Sequence, residues 1–166
     1  MEQNDQQKNN FNFMNLKILL NKEPLSVHLI SLLLQKGKKA KVQKVVFEFL
    51  MQCEKQFNVD VFEFLYYIFF INKPYFNLTN KFIGKKLVKV PYSLSLTKQY
   101  NLLLRLLVRF SRKNFQKNFS FTLLNEFINL VNKQGSFVKY LDDLNKLTET
   151  NRVFLYSNKL KKTNFR

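Results

Sequence analysis

Val42, Val45, Val46, Phe49, Leu50 and Cys53 fall at i, i+3, i+4, i+7, i+8 and i+11. That spacing draws one apolar stripe along an α-helix, running to about Gln56. The same period returns along most of the chain. Pro24 opens a run through Leu25, Val27, Leu29, Ile30, Leu32, Leu33 and Leu34 that Gly37 stops, since Pro suits a first turn and Gly a left-handed C-terminal position. Asp60 with Glu63 resembles a capping box before a third helix, Val61 to Asn72, which Pro74 ends; it is apolar nearly all round and is expected to be central.

Residues 94–113 place Tyr100, Leu103, Leu104 and Leu107 on one side and Lys98, Arg105, Arg109 and Arg112 on the other, the four cations within about 60° at 100° per residue. Ser120 is expected to open a fifth helix with Leu123, Leu124, Phe127, Ile128 and Val131 inward and Gly135 near its end; Ser136 then caps a sixth, from about Phe137 to Leu155. Between Tyr75 and Tyr92 the period breaks around Gly84-Lys85-Lys86, which predicts a two-stranded hairpin that needs support from the body or from a partner. The expected fold is mainly α, a helical bundle of about six helices with a protruding two-stranded β-hairpin, and Gly37, Gly84 and Gly135 form its turns. The expected organisation is an Asn/Gln-rich N-terminal extension (1–23), one helical domain (24–157) with the hairpin at about 75–92, and a basic C-terminal tail (158–166).

Chemistry has little to work with. Cys53 is the lone cysteine and reads as a small core residue; with the lone His28 it cannot supply a zinc site, so neither a disulfide nor a metal is expected. His28 sits in an apolar helix with no carboxylate near it in sequence, and Asp142 and Asp143 splay apart on their helix, so no catalytic residue and no cofactor is expected. The longest apolar run, Phe64 to Ile71, is far below the roughly 20 residues of a membrane span.

Charge is the informative feature. Lys and Arg number 28 against 11 Asp and Glu, a formal +17. Between Phe64 and Asn125 there is no acid, yet eleven cations occur: Lys73, Lys81, Lys85, Lys86, Lys89, Lys98, Arg105, Arg109, Arg112, Lys113 and Lys117. Lys36, Lys38, Lys39, Lys41 and Lys44 form a second cluster after the first helix. A solvated face ordinarily mixes signs; an unmixed one repels itself and is relieved by phosphates, so these cations are expected to gather on one exterior side facing a nucleic acid. The fourth helix offers few polar groups for reading base edges, which favours structured RNA over sequence-specific DNA. An organellar DNA-binding or nucleoid-associated protein remains the alternative. The apolar faces are used by the core, so no membrane partner is expected.

Collinear landmarks then carry a resemblance: Gly37-Lys38-Lys39, Asn72-Lys73-Pro74, Val90-Pro91, Arg105-Leu106-Leu107-Val108 with Arg112-Lys113, Leu123-Leu124-Asn125-Glu126 followed by Asn132, Gly135, Val138 and Lys139, and Glu149-Thr150-Asn151-Arg152-Val153-Phe154. In this order and spacing the chain, over about residues 24–157, resembles the S-seven family of bacterial-type small-subunit ribosomal proteins. It departs from that family in the first 22 residues, which lack Arg, and at Phe82, Lys85 and Leu106, where the family has a basic residue, a Gly and a Trp.

The resemblance implies a non-enzymatic constituent of the small subunit. It would bind the 3′ major (head) domain of small-subunit rRNA, help head assembly, and lie near the exit-site tRNA and neighbouring proteins of the head and platform, without homo-oligomerising. The residues it implies as RNA-facing or turn-forming are Gly37, Lys38, Lys39, Lys81, Gly84, Arg105, Arg112, Lys113, Lys139 and Arg152; Lys36, Lys41, Lys85, Lys86, Lys89, Lys98 and Arg109 join from the charge pattern. The abundance of Lys, Asn and Phe, with one Ala and no Trp, is read as codon bias and points to a mitochondrial ribosome and an organelle-encoded chain, ahead of a plastid or bacterial one.

Overall fold

The computed structural model describes residues 22–83, 85–115 and 117–154. Among them the order is α1 (Pro24–Leu33), α2 (Lys39–Phe57), α3 (Val61–Asn72), β1 (Phe76–Ile83), β2 (Lys86–Ser93), α4 (Leu96–Lys113), α5 (Phe119–Val131) and α6 (Gly135–Thr150). The fold is mainly α with one antiparallel two-stranded hairpin.

Local chemistry sets several boundaries where the spacing places them. α2 ends at Asn58, left-handed at φ +51° with its N–H on the Glu54 carbonyl. Two residues on, the Asp60 carboxylate accepts the Phe62 N–H at 2.9 Å and so caps α3. The α1–α2 connection is tight: Lys36 and Gly37 both have positive φ (+51° and +72°), and Lys38 N–H donates to the Gln35 carbonyl at 3.2 Å, as in a type I′ turn.

Elsewhere competing partners move the boundary. Asn118, not Ser120, caps α5, which begins at Phe119. Ser120 is fully buried, its hydroxyl 3.1 Å from Glu48 Oε2 and 3.0 Å from Asn118 Oδ1. α5 closes in a Schellman motif on Lys133, left-handed at φ +53°: Lys133 N–H reaches the Leu130 carbonyl and Gln134 N–H the Asn129 carbonyl at 2.8 Å. Gly135 therefore opens α6 with φ +89°, Gln134 takes the N-cap place expected of Ser136, and the helix ends at Thr150. The expected end, Leu155, lies outside the described residues.

The chain divides into two compact units. The first comprises the described residues through Tyr66 together with Leu107–Ile128. Its buried apolar set includes Val46, Phe49, Leu50, Cys53, Leu65, Leu107 and Leu123. Phe127 is a hub, its ring edge-to-face with Phe49, Phe57 and Phe64 at centroid distances of 6.1, 6.2 and 5.9 Å. Cys53 is a core residue of α2, and burial pushes its thiol up to about 12.

The second unit comprises Tyr67–Leu106 and the described residues from Asn129. Here β1 packs on α6, and the hairpin pairs Phe76 with Ser93 through Ile83 with Lys86. Val90 and Pro91 at its base are buried, whereas Phe82 and Leu87, opposite one another near its tip, are 74% and 58% exposed. The base supplies the apolar support that a lone two-stranded ribbon lacks.

α3 is not enclosed on all sides. Its stripe Val61, Phe62, Leu65, Ile68 and Phe69 is buried, but Tyr67, Phe70 and Ile71 stand outward with Tyr75 beyond them. Apolar composition all round does not decide enclosure; the number of neighbouring elements does, and helical spacing lets one stripe satisfy them.

Candidate nucleic-acid interface

An α-helix carries partial positive charge at its N-terminus, where acids stabilise and cations destabilise. The first turn of α2 has no acid and no side-chain cap, and it carries Lys38, Lys39 and Lys41, all exposed, with Lys36 before and Lys44 after. Charge repulsion and the helix dipole thus act together at this helix end, an arrangement that an anion relieves.

α4 supplies the second set. Leu103, Leu104, Leu106, Leu107, Val108 and Phe110 are buried, while Lys98, Arg105, Arg109, Arg112 and Lys113 are exposed. The face assignment follows from the helical period, because a residue opposite a filled apolar stripe has only solvent to meet.

Within the first unit these two sets meet. Arg112 donates through Nη2 to the Leu32 carbonyl at 3.1 Å, in the last turn of α1. Arg112 and Lys41 border one cavity of about 350 Å³ together with Val42, Val45, Phe115 and Phe119. Residues 41 and 112 are far apart in sequence, and charge counting did not join them. Phe115 and Phe119 lie outside the charge pattern too, although the interleaving of Arg112, Lys113 and Lys117 with two phenylalanines is itself a signal of the kind that stacking surfaces show.

In the second unit, β-register separates the hairpin cations. Lys81 pairs with Val88 and Lys86 with Ile83, one alternation, whereas Lys89 pairs with Asn80 on the other. The ribbon therefore presents cations on both faces rather than on one. Lys85 lies exposed in the turn, and Gly84 lies outside the described residues.

Three expected cations differ in character from the rest. Lys73 is turned inward, 6% exposed, with its ammonium 4.0 Å from the Phe70 ring centroid and 5.6 Å from that of Tyr100. It serves cation–π packing, not a surface. Lys139 is exposed on α6 with Asp142 and Asp143 three and four residues on, also exposed, so its turn mixes signs. Arg152 is exposed just after α6, beyond Glu149.

Among the described residues no group of three or more His, Cys, Asp and Glu side chains is placed to hold a metal, and no helix is long and apolar enough to cross a membrane. His28 is half-buried on α1.

Known proteins resemble this chain. The family model for ribosomal protein S7p/S5e matches residues 4–152, reaching further toward the N-terminus than the landmarks that begin at Pro24. A protein of Cutibacterium acnes named small ribosomal subunit protein uS7 is 32% identical over 133 residues, 80% of this chain and 85% of its own length. Proteins of the same name from Rhodococcus erythropolis (29%, covering 80% and 85%) and Dichelobacter nodosus (26%, covering 76% and 81%) are similar over comparable lengths. By the extent of the family match and the identity to the Cutibacterium protein, the chain belongs to the ribosomal protein S7p/S5e family.

Proposed function

We propose that the protein is a structural, non-enzymatic constituent of the small ribosomal subunit that binds the 3′ major (head) domain of its rRNA. The observation that carries the RNA contact is the acid-free, lysine-loaded start of α2 against which Arg112 is brought. Phosphates of folded RNA satisfy both the helix end and the crowded cations there, and their contact fixes position without reading sequence. Lys98, Arg105, Arg109 and Lys113 on α4 offer further cations to phosphates, and Lys81, Lys85, Lys86 and Lys89 do so on the hairpin.

In this reading residues 24–157 form the RNA-binding body, the hairpin tip lies beside the exit-site tRNA, and the protein is present as one copy that helps the head assemble. The exposed Tyr67, Phe70, Ile71 and Tyr75 support contacts with neighbouring small-subunit proteins, because exposed aromatic patches favour protein interfaces. The relatives are bacterial, which supports a ribosome of the bacterial type; the mitochondrial expectation has codon composition behind it and no support from these relatives.

The test is a salt titration of binding to a 3′ major domain rRNA fragment, against a DNA duplex of equal length. Tighter binding to the RNA, weakening with salt, is expected. Equal affinity for the duplex, or co-sedimentation with DNA after ribonuclease treatment and absence from small subunits, would favour the nucleoid alternative.

A further inference from the structure

We infer that the cavity bordered by Lys41, Arg112, Phe115 and Phe119 receives one unstacked nucleotide of the bound RNA, its base on the phenylalanine rings and its phosphate between the two cations. This rests on the RNA-binding reading above and adds a ligand to it.

The cavity holds about 350 Å³, which falls within the roughly 300–1,000 Å³ of small-molecule sites. Val42 and Val45 make its wall apolar, and no carboxylate lines it. The rings of Phe115 and Phe119 lie 6.1 Å apart, centroid to centroid, tilted by 31°, and Phe115 is 58% exposed. Phe115 is thus open to solvent at a cavity that two cations also line.

The occupant has to match both features. An apolar side chain of a protein would cover the rings and leave Lys41 and Arg112 without an anion. A free phosphate would do the opposite. A nucleotide offers a flat π-face and a negative charge a few ångströms away, and base–aromatic stacking accepts any base.

Arg112 is suited to the phosphate because its bond to the Leu32 carbonyl fixes the guanidinium while a fork of five donors leaves others to use. A base inside a duplex keeps both faces stacked, so the nucleotide has to come from a loop, bulge or junction.

The test uses the full chain and a bacterial 3′ major domain rRNA fragment, with affinity measured at several potassium chloride concentrations and melting followed as a check on folding. Phe115→Ala is expected to weaken binding by roughly 5- to 140-fold with the salt slope unchanged. Phe115→Tyr should bind close to wild type, and Phe115→Leu should behave like the Ala variant because it restores bulk but no ring. Lys41→Gln should lower the salt slope by about one phosphate contact, roughly 0.7–0.9.

Wild-type affinity in Phe115→Leu would overturn the nucleotide site while leaving RNA binding intact. Equal losses in the Leu and Tyr variants would also overturn it. Failure of the wild-type chain to bind the fragment would remove the RNA reading itself and the site with it.

Discussion

Lys98, Arg105 and Arg109 lie within about 40° of arc on the exposed side of α4, opposite its buried leucines. Changing all three to Gln removes three positive charges at little cost to the helix, since Lys, Arg and Gln have nearly equal helix propensity. Arg112 stays, because its bond to the Leu32 carbonyl would mix stability with binding. If each of the three faces a phosphate, each contributes roughly 0.7–0.9 to the slope of log affinity against log salt, so the triple change lowers that slope by about 2–3.

The ion-release contribution vanishes near 1 M salt. The expected loss at 0.1 M is therefore about a hundred- to five-hundredfold, shrinking steadily as salt rises. Fluorescence anisotropy on a labelled 3′ major domain fragment across a salt series measures both quantities, and circular dichroism checks helicity and melting. A loss that does not change with salt, an unchanged slope, or an unfolded triple variant would refute the assignment of these residues to a phosphate-facing side.

Phe127→Leu should cost more stability than Phe49→Leu in chemical denaturation, because it breaks three edge-to-face ring pairs where Phe49→Leu breaks one, each worth about 0.5–1.5 kcal/mol beyond area; equal losses would deny the hub. Cys53 should resist thiol reagents in the native protein and react on unfolding. Its folded pKa of about 12 lies above the ordinary value of 9.0, so its contribution to stability is complete below pH 9 and is lost as pH rises from 9 toward 12, a decline that Cys53→Ala should remove from a pH–melting profile. Gly135→Ala should destabilise more than Gly37→Ala: both positions have positive φ, at about 1–2 kcal/mol for an L-residue, but an added Cβ meets the Asn129 side chain at 3.3 Å at Gly135 and open space at Gly37. Equal melting temperatures for the two variants would count against that contact.

The helices and hairpin were legible because their signals are local. Asp60 and Pro74 bound α3 through groups within a turn of its ends, and the alternation of leucines with Lys98, Arg105, Arg109 and Arg112 names the exposed side of α4. Where two local signals compete, sequence spacing does not rank them. Asn118 and Ser120 both suit an N-cap, and Ser120 left that role because its hydroxyl is buried beside Glu48, a residue remote in sequence. Lys133 takes the left-handed position that closes α5, since the Schellman bonds to the Leu130 and Asn129 carbonyls hold the chain there, while Gly135, expected near that end, opens α6 at its own positive φ.

The amino-acid sequence by itself determined the mainly α class, the hairpin and a large positive charge with an acid-free stretch between Phe64 and Asn125, since periodicity, capping and net charge act over a few residues or sum over all of them. Only the tertiary structure decided that Lys73 turns inward against Phe70 and Tyr100, that one side of α3 stays open, and that Lys41 and Arg112 border one cavity with Phe115 and Phe119. Each of these depends on which distant side chain fills a given space, and packing between elements fixes that only after the elements have formed.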